Sequence, residues 1–218
     1  MRGKKQMKTS KLAYENFVTI IGKVVSITKA NERLGAAFYE IGVRVNRATA
    51  GKYDDVIVYA PEWARPEEFF IGKTVKLNGE LRIYKNRRSL WQSKQMMVYT
   101  KKITIVDDNV PHINEVELIG DLHQFCESRK TPLTDRVITD FSILVYRTGG
   151  YCKGERFEII HCIAWRDQTE EFQKILNDNG KVHVFGRIQQ RAFEKKHSNG
   201  TVTNEFVHEI SCRSVNKY

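Results

Sequence analysis

The chain of 218 residues carries 36 Lys+Arg against 26 Asp+Glu, a formal net charge of +10, and is 41% hydrophobic. That length and apolar content suit one large or two small folded domains and exclude a low-complexity or disordered chain. No apolar run nears the roughly 18 residues of a membrane span, and the basic, polar start has no signal-peptide core, so the expected location is cytoplasmic, with no membrane partner.

The charge is uneven. Residues 1–110 hold 21 Lys+Arg and 11 Asp+Glu, and the remainder holds 15 of each, so the whole excess lies in the first half. It begins with a basic arm over residues 1–13, containing Arg2, Lys4, Lys5, Lys8 and Lys11. A basic excess points to a polyanionic partner, because neutralising phosphates releases counterions.

In chain order, the first elements are apolar strands over residues 16–24 and 41–47, with Arg44 outward between Val43 and Val45. A third strand places Tyr59 outward between Val58 and Ala60. A short helix carrying Pro66 is predicted over residues 62–70. A strand over 75–81 then runs into residues 82–99, where cations and aromatic rings alternate. After the polar stretch 107–111, closed by Pro111, the pattern returns. Strands are predicted over 114–122, 141–147, 159–165 and 182–193. In 141–147, Phe141, Ile143 and Val145 share one face, and Ser142, Leu144 and Tyr146 the other. A helix is predicted from Asp167, with Glu170 at capping-box spacing, an apolar stripe of Phe172, Ile175 and Leu176, and Gly180 as its stop.

The two halves are copies. Asn16, Ile21 and Gly22 match Asn114, Ile119 and Gly120 at an offset of 98, Arg47 matches Arg147 at 100, and Gly79 matches Gly186 at 107. Two units of about 100 residues are domains rather than solenoid repeats. Three strands, a helix and two strands is the order of an OB-fold, a five-stranded Greek-key barrel. The expected fold class is therefore all-β with short helices, as two tandem OB-folds over residues 14–108 and 109–218 after the 1–13 arm.

Enzymatic signals are missing: no P-loop, GxSxG, HExxH or nucleotide fingerprint occurs. Asp54 and Asp55 are neighbours on a strand and so point to opposite faces, which prevents them from sharing an ion. Cys126, Cys152, Cys162 and Cys212 form no CxxC pair and read as free thiols. The histidines are scattered, although His161 and His183 would meet if their strands were adjacent. No catalytic residue, metal or cofactor is expected.

Sequence-tolerant binding of a single strand needs cations for phosphates and flat rings for bases. Residues 82–99 interleave both, in Arg82, Tyr84, Lys85, Arg87, Arg88, Trp91, Lys94 and Tyr99, on the strand 4–5 hairpin that lines the OB-fold groove. Lys23, Arg44, Arg47, Tyr59 and Trp63 complete the candidate set in the first copy. In the second copy Arg147, Arg166, Arg187, Arg191, Lys195 and Lys196 are the candidate phosphate contacts. The charge asymmetry assigns electrostatic binding to the first copy. It assigns subunit contact to the neutral second, whose outward positions include Ile159, Ile163 and Phe185.

The second copy reads Val116-Glu117-Leu118-Ile119-Gly120-Asp121-Leu122, then 141–147, then Ile159-Ile160-His161-Cys162-Ile163-Ala164-Trp165, then 182–193. It resembles the bacterial single-stranded-DNA-binding protein family in its V-x-L-I-G-x-L start, F-x-L-x-V-x-R strand, apolar strand ending in tryptophan, and V-x-V-x-G-R strand. The first copy keeps less of it, with Tyr59-Ala60-Pro61 in place of Ile163-Ala164-Trp165. The resemblance implies non-catalytic, largely sequence-independent binding of single-stranded DNA in replication, repair or recombination, with Trp165 and Phe193 at base-stacking positions. It also implies assembly of four OB-folds, here as a homodimer, and a nucleoid-associated location. The family's acidic C-terminal tip, which recruits partners, is not seen in this chain. The alternatives left open are a primosomal-type replication-restart accessory protein, an OB-fold interaction scaffold, and an RNA partner.

Overall fold

The computed structural model describes residues 14–33, 35–65, 70–85, 94–125, 128–130, 137–147, 157–165, 174–175, 180–197 and 200–218. The first barrel consists of β1 (Glu15–Arg33), β2 (Ala36–Asn46), β3 (Tyr53–Pro61), β4 (Thr74–Lys85) and β5 (Lys94–Ile105). The second contains β6 (Ile113–Phe125), the two-residue β7 (Arg129–Lys130), β8 (Val137–Tyr146), β9 (Phe157–Trp165), β10 (Lys181–Lys196) and β11 (Val202–Lys217). In the first, pairing runs from β1 through β2, β3, β5 and β4 back to β1. In the second it runs from β6 through β8, β9, β11 and β10 back to β6. In each circuit one contact is parallel, β3 with β5 and β9 with β11. Both are closed five-stranded Greek-key barrels, the OB-fold arrangement.

The barrels share a sheet, because β1 also pairs antiparallel with β6 from Glu15↔Ile119 to Ile21↔Ile113. Val18 faces Val116 at the centre of this pairing. These are equivalent positions of the two copies, 98 residues apart, so the junction is a pseudo-two-fold axis inside one chain. Alternation on β1 buries Val18 and Ile20 completely, while Phe17 stays 41% exposed on the outer face. The buried residues of both barrels form one continuous apolar cluster across the junction.

Two duplicated motifs make the junction possible. Pairing of β1 with β4 stops at Val18↔Gly79. Beyond it, Asn16 Nδ2 donates to the Leu81 carbonyl at 3.0 Å and the Leu81 N–H donates to Asn16 Oδ1 at 2.8 Å. Asn114 does the same to Ile188, at 2.8 and 2.9 Å. Each asparagine replaces a missing ladder step with a side chain, so the buried backbone groups stay satisfied. Gly22 and Gly120 lie where the strands approach closely. A Cβ on Gly22 would sit 2.6 Å from the Arg44 carbonyl oxygen, and one on Gly120 would sit 2.4 Å from that of Leu144.

The helix predicted over 62–70 is, in its described part, a single 3-10 turn, Glu62–Ala64. Arg65 is already extended at ψ 155°, because the ring of Pro66 pushes its predecessor out of the helical region. Of the second predicted helix only residues 174–175 are described, and they are helical. Ile175 packs on the core.

Asn114→Ala is expected to cost about 2–3 kcal/mol, because both backbone groups of Ile188 lose their partner in a buried place. Gly120→Ala should cost about 1–3 kcal/mol through overpacking against backbone. Urea unfolding would read both as a lower midpoint at unchanged slope.

Candidate nucleic-acid interface

Strand pairing fixes which side chains leave each barrel on the outer face of its second and third strands, the usual oligonucleotide face of an OB-fold. In the first barrel, Arg44 stands opposite Asp55 and Glu40 opposite Tyr59. Arg44 holds Asp55 through two bonds of 2.8 and 2.9 Å, and its guanidinium lies 3.9 Å from the centre of the Tyr53 ring. The sequence expectation placed Tyr59, Tyr84 and Tyr99 in a groove, and the structure brings them together. Tyr59 and Tyr99, however, are only 4% and 5% exposed. They pack with Phe38 and Met97 into a satellite cluster, against which the half-buried Tyr84 leans. Phe38 stacks on Tyr59 at 5.2 Å, Tyr84 is 4.6 Å from Tyr59, and Tyr59 Oη donates to Asn31 Oδ1 at 2.8 Å. Burial pushes the Tyr84 hydroxyl up to about 12.

The arginines meet carboxylates. Arg82, outward by alternation, is nonetheless buried, paired with Glu80 and seated 3.5 Å over the Tyr99 ring. Arg47 pairs with Asp54, a β3 residue pointing into the barrel and 2% exposed. Arg187 reaches Asp54 from β10 at 2.6 Å and also bonds Gln189. Arg147 pairs with Glu158, which accepts the Ile83 N–H from the other barrel at 3.1 Å. Burial raises the Glu158 carboxyl above its ordinary value, against the opposing pull of Arg147. Arg191 binds Glu209 at 3.1 Å. These arginines therefore clamp the barrels internally and to each other. Lys23 is exposed, and its charge reaches His112 in the connecting segment. Trp63 is 55% exposed on the 3-10 turn. Arg87, Arg88, Trp91 and Arg166 lie outside the described residues, as do the side chains of Lys85, Lys94, Phe193, Lys195 and Lys196.

The second barrel presents a different face. Along β9 run Phe157, Ile159, His161, Ile163 and Trp165, opposite Tyr146, Leu144, Ser142, Asp140 and Ile138 of β8. The Leu144–Ile159 pair occupies the register position that Arg44–Asp55 holds in the first barrel. Phe157 and Ile159 are 41% and 39% exposed, whereas Ile163, expected outward, is buried. Tyr146 meets Phe157 at 3.9 Å. Trp165 is half-buried and donates Nε1–H to Ser211 Oγ at 2.9 Å, which fixes its ring at one end of the row. Phe157 and Tyr146 were absent from the sequence-derived set. The alternation of 157–165 carried the signal, since it puts every odd residue on the face of Trp165.

His161 and His183 do not meet, because β11 separates their strands. His183 bonds Glu117 at 2.8 Å instead. Cys162 and Cys212 are free thiols in the second core. No cluster able to hold a metal occurs among the described residues, and no helix there is long and apolar enough to cross a membrane.

Two imidazoles tie parts of the junction. His208 Nε2–H donates to the Asp55 carbonyl across the barrels at 3.0 Å, and burial lowers its proton affinity. His112 Nδ1 accepts the Asn46 N–H at 2.9 Å, and burial, then Lys23, lowers it likewise. A folded-state value below the unfolded one means that the unfolded chain binds more protons as pH falls past about 6.5. Stability from these groups is therefore present above that pH and lost below it, by at most about 1.4 kcal/mol per pH unit per group. The expected result is a drop in urea midpoint from pH 7.5 to 5.5 that shrinks in His112→Gln/His208→Gln.

A family model described as the single-strand binding protein family matches residues 113–217. The chain is 34% identical over 96 residues to single-stranded DNA-binding protein 1 of Lactococcus lactis, covering 44% of this chain and 63% of that protein. It is 34% identical over 98 residues to single-stranded DNA-binding protein 3 of Streptococcus agalactiae, covering 44% of this chain and 70% of that one. It thus spans less than two thirds of the Lactococcus protein. Its fold matches a crystal structure of the single-stranded DNA binding protein from Thermus aquaticus over 94% of this chain and 93% of that one. The TM-score is 0.68 at 14% identity, a likeness of fold.

Proposed function

The chain belongs to the single-strand binding protein family, and from that premise we propose that it binds single-stranded DNA, without catalysis and largely regardless of sequence. Its setting would be replication, repair or recombination in a nucleoid-associated, cytoplasmic location. One observation carries the reading: the outer face of β8 and β9 is a half-exposed row of Phe157, Ile159 and Trp165 with Tyr146 beside it. Flat and apolar side chains on that face offer bases a stacking surface that needs no particular hydrogen-bond pattern. The first barrel offers less there, since Phe38, Tyr59 and Tyr84 cover each other and its exposed ring, Tyr53, carries the Arg44 guanidinium that Asp55 holds. The cations between β4 and β5 and at the start of β5, among them Arg87, Arg88 and Lys94, stay in the proposed interface on sequence grounds alone.

Self-association into a homodimer with four barrels is part of the proposal. The outer face of the shared sheet supports it, with Phe17 and Phe185 41% and 39% exposed around a depression of about 250 Å³ that Glu117 and Arg213 also line. Exposed aromatic side chains rimmed by charge fit a self-complementary interface.

In a Trp63→Phe/Trp91→Phe background, the Trp165 emission should be quenched by poly-dT and hardly by duplex. Trp165→Ala should weaken poly-dT binding roughly 5- to 150-fold, the equivalent of about 1–3 kcal/mol per stacked base. Unchanged emission and affinity would refute the β8–β9 face as the site. Tighter binding to poly-rU would turn the reading to RNA, and retention of neither polymer at low salt would favour a protein scaffold. Sedimentation of Phe17→Lys/Phe185→Lys against the parent should show a loss of dimer.

A further inference from the structure

Tyr14 stands immediately ahead of β1, a strand of the first barrel, yet its side chain lies on the second. Its hydroxyl donates to Asp121 Oδ2 at 2.8 Å, and its ring meets Tyr146 edge-on at 4.2 Å. Tyr146 in turn meets Phe157 at 3.9 Å. Three rings therefore follow one another, from Phe157 on β9 across Tyr146 on β8 to Tyr14. Strand register gives the same direction. Ile159 pairs with Leu144, Leu144 with Asp121, and Asp121 with Lys181, a lateral row over β9, β8, β6 and β10. Directly paired residues share a face of the sheet, so the anchor of Tyr14 lies in line with the apolar pair Leu144–Ile159 of the strand face.

The ring is held ready for a flat partner. Its bond to Asp121, then burial, raises the hydroxyl above its ordinary value, so the ring stays neutral beside a polyanion. Lys181 Nζ lies 3.3 Å from the ring centre, where the ring quadrupole attracts a cation. An ammonium on a flexible four-carbon stem can leave that place without moving the backbone. A base then takes the ring, and the cation stays within reach of the phosphate beside it.

The duplication separates what the junction needs from what a strand needs. At the offset of 98, His112 corresponds to Tyr14 and Lys23 to Asp121; at the offset of 100, Asn46 corresponds to Tyr146. These residues also meet across the barrels: His112 Nδ1 accepts the Asn46 N–H at 2.9 Å and lies in the field of Lys23. Asn46 pairs with Tyr53 as Tyr146 pairs with Phe157. Docking of the leading residue on the neighbouring barrel is thus common to both copies, and His112 achieves it with one polar bond. The ladder of rings belongs to the second barrel alone. What Tyr14 adds there beyond a tie is flat surface next to Tyr146 and Phe157.

We propose that Tyr14 is a base-stacking residue of the second barrel, supplied by the first: a third ring that carries a strand from Phe157 over Tyr146 toward Lys181 on β10. This rests on the reading of the β8–β9 face as a strand site. That site is then composite, complete only when the two barrels are joined through β1 and β6.

The test uses the full chain in the Trp63→Phe/Trp91→Phe background. Iodouracil-substituted oligo-dT is irradiated on the protein and the adducts are mapped by mass spectrometry; an adduct on Tyr14 is expected. Tyr14→Phe keeps the ring and loses the bond to Asp121, so it should bind poly-dT like the parent even if its urea midpoint falls. Tyr14→Ala should weaken binding roughly 5- to 150-fold, the span of one stacked base, with Trp165 still quenched at saturation. Tyr14→Phe as weak as Tyr14→Ala, parental binding by Tyr14→Ala, or no adduct on Tyr14 while Trp165 is quenched assigns the ring to the junction alone. Each of these overturns the inference and leaves the strand site standing. No quenching of Trp165 in the parent overturns the site reading itself.

Discussion

The antiparallel pairing of β1 with β6 about Val18 and Val116 is the contact on which the molecule depends. It gives β1 three partners, β2, β4 and β6, along one strand. A strand so shared leaves each neighbour in turn, and every departure threatens to strand buried amide groups. Asn16 and Asn114 resolve this with identical two-bond clamps. The requirement is geometric and symmetric about the axis, so both copies retain Asn, Ile and Gly at the same spacing even where their surfaces have parted.

The same junction explains the behaviour of the arginines. Once two barrels are fused, residues at the ends of β3 and β9 become enclosed, and Asp54 and Glu158 occupy equivalent register positions opposite Val45 and Val145. A carboxylate enclosed this way is costly unless cations and N–H donors surround it. Asp54 receives Arg47 from its own barrel and Arg187 from the other. Glu158 receives Arg147 from its own and the Ile83 N–H from the other. Loss of a partner in such a network typically costs about 3–5 kcal/mol. The arginine of the repeated second strand is thus held in both copies by a structural demand that outranks the surface.

The barrel circuit and the duplication were legible in the sequence because period-two alternation and the repeated glycines report directly on strand geometry. The outward direction of Arg82, Tyr59 and Tyr84 was legible too. Their burial was not, because alternation tells which face a residue takes and not what lies over that face. Here Phe38 and Asn31, from the long β1–β2 hairpin, close over Tyr59. The pairing of Arg187 with Asp54 spans 133 residues, and no local pattern encodes a contact made only when two barrels meet. The short turn at Glu62–Ala64 was within reach, since Pro66 already forbade a helical Arg65.

Net charge is a property of composition, and here it misleads about place. The excess belongs to the first half of the sequence, yet its barrel arginines Arg44, Arg47 and Arg82 are each neutralised by Asp or Glu. The strand arginines of both barrels are thus spent on holding the pair together. The two copies then diverge in what their faces keep: an ion pair at Arg44–Asp55, and apolar surface at Leu144–Ile159. At that register position, across a junction whose asparagine clamps and glycines stayed symmetric, the outer faces of two copied barrels part, one closed by an ion pair and the other left apolar.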